Sequence, residues 1–187
     1  DSGSPIGMVP LREYARGKKE VVIIFDDMAR VTRAAEIVPH VLAELAEAGI
    51  RNEQIRFICA SGCHGALDRI AFEKKLGKAV LARFPVYNHN PFDNCVYAGT
   101  TSAGTKVYLN TEVMACDLKI GIGSIVPHPL AGFGGGAKII LPGVSSVETI
   151  SVNHNKLGTL HTSDVGKYEG NVARADIDEA ARMAGLD

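Results

Sequence analysis

Residues 20–27 read Glu-Val-Val-Ile-Ile-Phe-Asp-Asp, an apolar run from Val21 to Phe25 that ends in two adjacent carboxylates. Continuous apolarity over this length predicts a strand buried on both faces, as in a parallel sheet, with polar groups at its C-terminal end. The chain that follows agrees. From Ala34 to Ala48, residues Ile37, Val41, Leu42, Leu45 and Ala48 fall at helical spacing and Gly49 stands at the C′ stop; Pro39 either kinks this helix or marks its first turn. Ile55 to Ala60 predicts a second strand, and Ala66 to Leu76 a second helix ended by Gly77. Lys106 to Leu109 and Leu118 to Ile122 predict further short strands, separated by a helical turn near Thr111 to Ala115. Strands alternating with helices predict an α/β fold: an open, mainly parallel, Rossmann-like sheet with helices on both faces, whose ligands collect at the carboxyl ends of the strands.

The 187 residues suffice for one such domain with a real core, and a hydrophobic share of 46% against 22% charged excludes disorder. Twenty Lys and Arg against 21 Asp and Glu leave a net charge of −1, so nothing attracts nucleic acid or an anionic membrane in bulk. No apolar stretch approaches the roughly 20 residues of a membrane span. Residues 1–20 carry Arg12, Glu13, Arg16, Lys18, Lys19 and Glu20 without a secretory apolar core, so the cytoplasm is the expected address. The four cysteines form no C-x-x-C pair and read as reduced thiols. Asp1 at the start and an amphipathic Asp176 to Leu186 at the end predict a piece of a longer protein.

Chemistry concentrates between Leu118 and Gly143, where Gly132, Gly134, Gly135 and Gly136 precede Lys138. Glycines let the backbone approach a ligand closely and turn its N–H groups toward an anion. A Walker loop would need Gly before the Lys and Ser or Thr after it, but Ala137 and Ile139 stand there; a G-x-G-x-x-G fingerprint is also missing. His64, His128 and His154 lie in polar or glycine-rich settings at strand ends. Neutral imidazoles there can ligate a metal or act as acid and base. Asp27 and Arg30, three apart beyond the first strand, form either a carboxylate- or phosphate-holding pair or a plain local ion pair.

These residues resemble the N-terminal part of the nickel-dependent lactate racemase family. The resemblance is carried by Asp27-Met28-Ala29-Arg30, Ser61-Gly62-Cys63-His64, Asn88-His89-Asn90, Gly99-Thr100-Thr101, Pro127-His128 through Lys138, Leu141-Pro142-Gly143 and Asn153-His154. Lys138 follows His128 by ten residues and His154 follows it by 26, separations like those of the family. The resemblance implies a racemase or epimerase of 2-hydroxy acids that uses a nickel-pincer nucleotide. It implies a covalent tether at Lys138, nickel ligation by His154, and cofactor contact by the loop of Gly134, Gly135 and Gly136. His64 and His128 match the acid/base pair, and Asp27 and Arg30 match residues that organise the site. The implied reaction is proton-coupled hydride transfer from C2 through a planar 2-keto acid, the hard step being the cofactor's.

Ala29, Val31, Cys63 and Gly65 depart from the residues common in the family, where Thr, Pro, Thr and Arg are usual. The departures point away from lactate toward another 2-hydroxy acid or a sugar acid. Residues 1–187 are then the cofactor-binding N-terminal domain, expected to be inactive without a C-terminal domain that supplies further substrate contacts, and expected to lack the cofactor after ordinary heterologous expression. His40, His89 and His161 read as structural, and Cys63 is the cysteine placed to border the site. Two alternatives remain at this level: a non-catalytic nucleotide- or phosphate-binding module built on the glycine loop, and a hydrolase with one zinc held by His64, His128 and His154.

Overall fold

The structure, a computed structural model, describes residues 5–186. A helical turn, α1 (Leu11–Tyr14), leads to β1 (Val21–Asp26), which is buried along its whole length. Next come α2 (Ala34–Glu47), β2 (Ile55–Ala60), α3 (Arg69–Leu76), α4 (Lys78–Arg83) and β3 (Val86–Asn88). The second half holds β4 (Cys95–Thr100), β5 (Lys106–Asn110), α5 (Thr111–Ala115), β6 (Leu118–Ile122), β7 (Pro127–His128) and β8 (Gly132–Phe133). It closes with α6 (Val147–Ser151), a π-helical turn over Val152–Leu157, and α7 (Val172–Ala184).

Four strands form an all-parallel sheet in the order β3-β2-β1-β6, with Val21 of β1 opposite Ile55 of β2 and Leu118 of β6. The double-sided apolarity of β1 is used on both faces. Val21, Ile23 and Phe25 join Val38, Leu45, Phe72 and Leu76 of α2 and α3 in one core; Val22 and Ile24 join Ile140, Leu141, Ile177 and Ala180 in the other. Phe25 packs edge-on against Phe57 and Phe72, with centroids 6.5 and 6.0 Å apart. Each such fully buried side chain contributes about 1.5–3 kcal/mol of transfer free energy.

Several expected boundaries move for local reasons. The helix expected from Ala66 begins at Arg69, because the Asp68 carboxylate caps it by accepting from Ala71 N at 2.8 Å. Pro39 lies inside α2. Lys106–Asn110 does not enter the parallel sheet; it pairs antiparallel with β4, putting Val107 and Leu109 into the second core while Tyr108 meets Tyr97 at 5.4 Å. α7 starts at Val172, capped by Asn171, and stops before Gly185, whose φ of 70° suits a glycine.

The strand order places the site. From β1 the chain goes by α2 to β2 on one side, whereas β6 lies on the other, so the order reverses between β1 and β6. A crevice opens at the carboxyl ends of strands around such a reversal. Among the described residues, no helix is long and apolar enough to cross a membrane.

Candidate active site

A cavity of about 260 Å³ opens at that point. Its wall is built by the segment after β1 (Asp26, Asp27, Arg30), the segment after β2 (Ser61 to His64), Ser124 beyond β6, His128, the glycine loop to Lys138, and His154. Asp27, Arg30, His64, His128, Gly134, Gly135, Lys138 and His154, far apart in sequence, thus share one cavity. Gly136 is not part of that wall; it begins the helical turn Gly136–Ile139 and faces a separate groove.

The β1 end is organised by a residue that sequence reading missed. Lys75 of α3 is buried, with Nζ 2.7 Å from Asp26 Oδ1, and it donates to the carbonyls of Asp27 at 2.9 Å and Arg30 at 3.3 Å. Thr32 donates to the other Asp26 oxygen and meets Ser124 Oγ at 2.7 Å, joining the segments after β1 and β6. Lys75 lies three residues from Phe72 and beside Leu76 on α3, but a lysine in Glu-Lys-Lys reads as solvent-facing.

Asp27 does not pair with Arg30 through their side chains. One Asp27 oxygen accepts from Ala29 N at 3.0 Å and the other accepts from His64 Nδ1. A carboxylate accepts only, so this contact puts the proton of neutral His64 on Nδ1 and leaves Nε2 with a free lone pair. The ring is 56% exposed, so this nitrogen can reach a substrate.

His128 is held in the opposite sense. Its Nδ1 accepts from the backbone N–H groups of Leu130 at 3.1 Å and Ala131 at 3.3 Å, which assigns the proton of the neutral ring to Nε2. Burial first, then the positive charges of Lys138 and Arg30 and the neighbouring His154, push its pKa down to about 4. Lys138 Nζ lies 3.4 Å from His128 Nε2. Lys138 is itself 7% exposed, and burial, with Arg30 and Arg174 adding repulsion, pushes its pKa down to about 8. His154 stands in the π-helical turn; burial and then Lys138 push it to about 4, and its buried Nδ1 makes no well-formed hydrogen bond, although the nearby Ile150 carbonyl favours its charged form.

The glycine loop approaches the rest of the wall too closely for side chains. Gly135 has φ 72°, and a Cβ there would stand 2.5 Å from the Ser124 carbonyl oxygen. The turn bearing His154 is tied down from behind: Asn153 Nδ2 donates to Asp176 Oδ2 of α7 at 2.8 Å, and the buried Asp176 carboxylate also accepts from Thr101 at 2.5 Å and Thr105 at 3.1 Å.

A buried primary amine and a half-buried imidazole on one cavity suit a covalently held group and a metal ligand, respectively. Among the described residues no three His, Cys, Asp or Glu side chains converge to hold a metal ion, so the three-histidine zinc arrangement is not formed. His89 lies elsewhere: buried, it bonds the Ser145 carbonyl through Nε2 at 2.8 Å and Asn110 through Nδ1 at 3.1 Å. Cys63 is exposed at the cavity and Cys59 is buried, its thiol pushed up to about 12 by burial and by Asp27.

Residues 3–166 match the family model described as the lactate racemase N-terminal domain. The lactate racemase of Thermoanaerobacterium thermosaccharolyticum is 31% identical over 186 residues, and that of Lactiplantibacillus plantarum 32%. Each alignment covers 98% of this chain but only 43% and 44% of the relatives, so the chain spans less than half their length. The structure superposes on the lactate racemase apoprotein from T. thermosaccharolyticum with a TM-score of 0.93 at 30% identity, covering 98% of this chain and 45% of that one. A crystal structure of a Thermotoga maritima protein matches with a TM-score of 0.77 at 26% identity, over 93% of this chain and 47% of that one.

Proposed function

Since the chain belongs to the lactate racemase N-terminal domain family, we propose that it forms the cofactor-binding half of a 2-hydroxy acid racemase or epimerase whose nickel-pincer nucleotide is tethered to Lys138. The observation that carries this reading is the shared cavity: a buried amine, a half-buried imidazole and two differently oriented histidines meet at the crevice between β1 and β6. The residues fit such a group. Lys138 is the amine for attachment, and the ring of His154, whose buried Nδ1 makes no well-formed hydrogen bond, is a nickel donor. When bound, the group would supply the acceptance and return of the C2 hydrogen with its electron pair, a step no side chain performs.

The chain's own residues do the rest. His64, steadied by Asp27, takes the hydroxyl proton at Nε2. His128 offers its Nε2–H to the substrate oxygen as a hydrogen-bond donor. Arg30 supplies positive charge for the substrate carboxylate. The missing length of the relatives is where a second domain would close the cavity from water, and residues 1–187 alone would not turn over. Exposed Cys63 lines the cavity, and Gly65, next in the chain to His64 and in open surroundings, stands where the family commonly has Arg, which supports an acid longer than lactate.

The test is racemisation by the full-length, cofactor-loaded protein across a series of 2-hydroxy acids. The reading expects turnover that favours a longer acid and falls by about 10²–10⁴ in His64→Gln, the usual worth of a general base. Equal rates for lactate and every longer acid would contradict the substrate assignment, and full activity in His64→Gln the assignment of the base.

A further inference from the structure

We propose that Lys138, in the protein without its tethered group, is a carbonyl-condensing amine that forms an imine with small 2-oxo acids. The proposal goes beyond the racemase reading, because it concerns the free side chain and needs no nickel.

Three observations place an amine that gives up its proton readily beside an anion site. First, the backbone amides of Leu130 and Ala131 cannot give up their hydrogens, so His128 Nδ1 remains an acceptor and Nε2 carries the ring proton. An ammonium 3.4 Å away would set donor against donor, whereas a neutral amine can accept from Nε2–H. Second, Lys138 is enclosed, and its depressed pKa of about 8 follows from burial and two arginines. Third, of those two arginines, Arg174 is engaged with Asp178 at 2.8 Å and the Phe133 carbonyl at 3.2 Å. Arg30 lines the cavity close enough for its charge to bear on Lys138, has no ion pair or side-chain hydrogen bond among the described residues, and is free to take a carboxylate. An electrophilic carbonyl next to a carboxylate is the chemistry that answers this pairing.

In the step, the Lys138 nitrogen lone pair attacks the carbonyl carbon, forming the C–N bond while the C=O π electrons move to oxygen. The carbinolamine then loses that oxygen as water together with the two hydrogens of the original amine, leaving C=N. No oxidant or reductant is consumed. The long contact with His128 is weak enough to yield to the carbonyl, and its Nε2–H then faces the departing oxygen.

The 187-residue chain, produced without cofactor-synthesis enzymes, is incubated at pH 7 with pyruvate and cyanoborohydride, which traps the imine as a stable amine, and the product is read by intact mass and peptide mapping. The expected result is one adduct per chain, mapped to Lys138, with acetone reacting at least about tenfold more slowly because it lacks the carboxylate that Arg30 would bond. Arg30→Gln should lower the pyruvate rate by about tenfold as well. Adducts spread over surface lysines, an unmodified Lys138, or equal rates for acetone and pyruvate would each overturn the proposal. Mapping on the wild-type chain decides the matter even where a Lys138→Arg control fails to fold, and none of these outcomes bears on whether the loaded enzyme racemises its substrate.

Discussion

Lys75 Nζ sits 2.7 Å from Asp26 Oδ1 beneath the turn that carries Asp27 and Arg30, and the same ammonium holds the carbonyls of both those residues. This buried cation fastens α3 to the C-terminal end of β1 and so fixes where Asp27 meets His64. Removing it leaves Asp26 buried without its counter-charge. Lys75→Met should therefore destabilise the protein by about 3–5 kcal/mol, the cost of breaking one side of a buried pair, as a lowered urea midpoint at unchanged slope. A loss under about 1 kcal/mol would mean that the pair is solvated.

Asp176 gathers Thr101, Thr105 and Asn153 around one buried carboxylate, directly behind the turn that bears His154. Asp176→Ala strands three donors, each costing about 1–3 kcal/mol when left unsatisfied. The variant should unfold at a clearly lower denaturant concentration, and the His154 ring signals should broaden or shift in NMR spectra, while those of exposed His40 stay unchanged.

Gly135 cannot accept a side chain at its positive φ with the Ser124 carbonyl in the way. Gly135→Ala should cost at least about 1–3 kcal/mol from backbone strain alone. Gly65→Ala, which meets open space at an ordinary φ, should stay within about 0.5 kcal/mol of the parent. Chemical denaturation of the two variants side by side checks the contrast.

Acid should weaken the fold through its buried and half-buried histidines. His128 is held at about 4 by burial and by the charges of Lys138 and Arg30, and burial also lowers His89, both from an ordinary value of 6.5. The unfolded chain then binds more protons than the folded one, so this stability is present above pH 6.5 and is lost as pH falls through 6.5 toward 4. Melting temperature should drop across that window, and His128→Gln should flatten the drop. A melting temperature that rises on acidification would reverse the sign.

Much of this was readable from residue order. The unbroken apolarity of Val21 to Phe25 predicts a strand covered on both faces, and both cores do form on it. Glycines at positions 49 and 185 mark helix ends where φ is 85° and 70°. What escaped depended on distant partners. β5 has the composition of a parallel strand, but its partner β4 is half-exposed and interrupted at Gly99, so the hairpin leaves little local signal. The cavity residues announced themselves as polar groups in glycine-rich or strand-end settings. Lys75 did not, because nothing in Glu-Lys-Lys says which lysine will be buried. Nor does spacing reveal that His64 and His128 carry their protons on different nitrogens; that follows from an Asp27 carboxylate in one case and two backbone amides in the other.

The most direct measurement is the intact mass and nickel content of the full-length protein co-produced with the cofactor-synthesis enzymes, beside its Lys138→Arg counterpart. The account predicts a heavier wild-type protein, with the added mass mapped to Lys138 and nickel present, and a Lys138→Arg protein of unmodified mass. Added mass on another residue, or nickel retained equally by both proteins with no covalent addition, would contradict it.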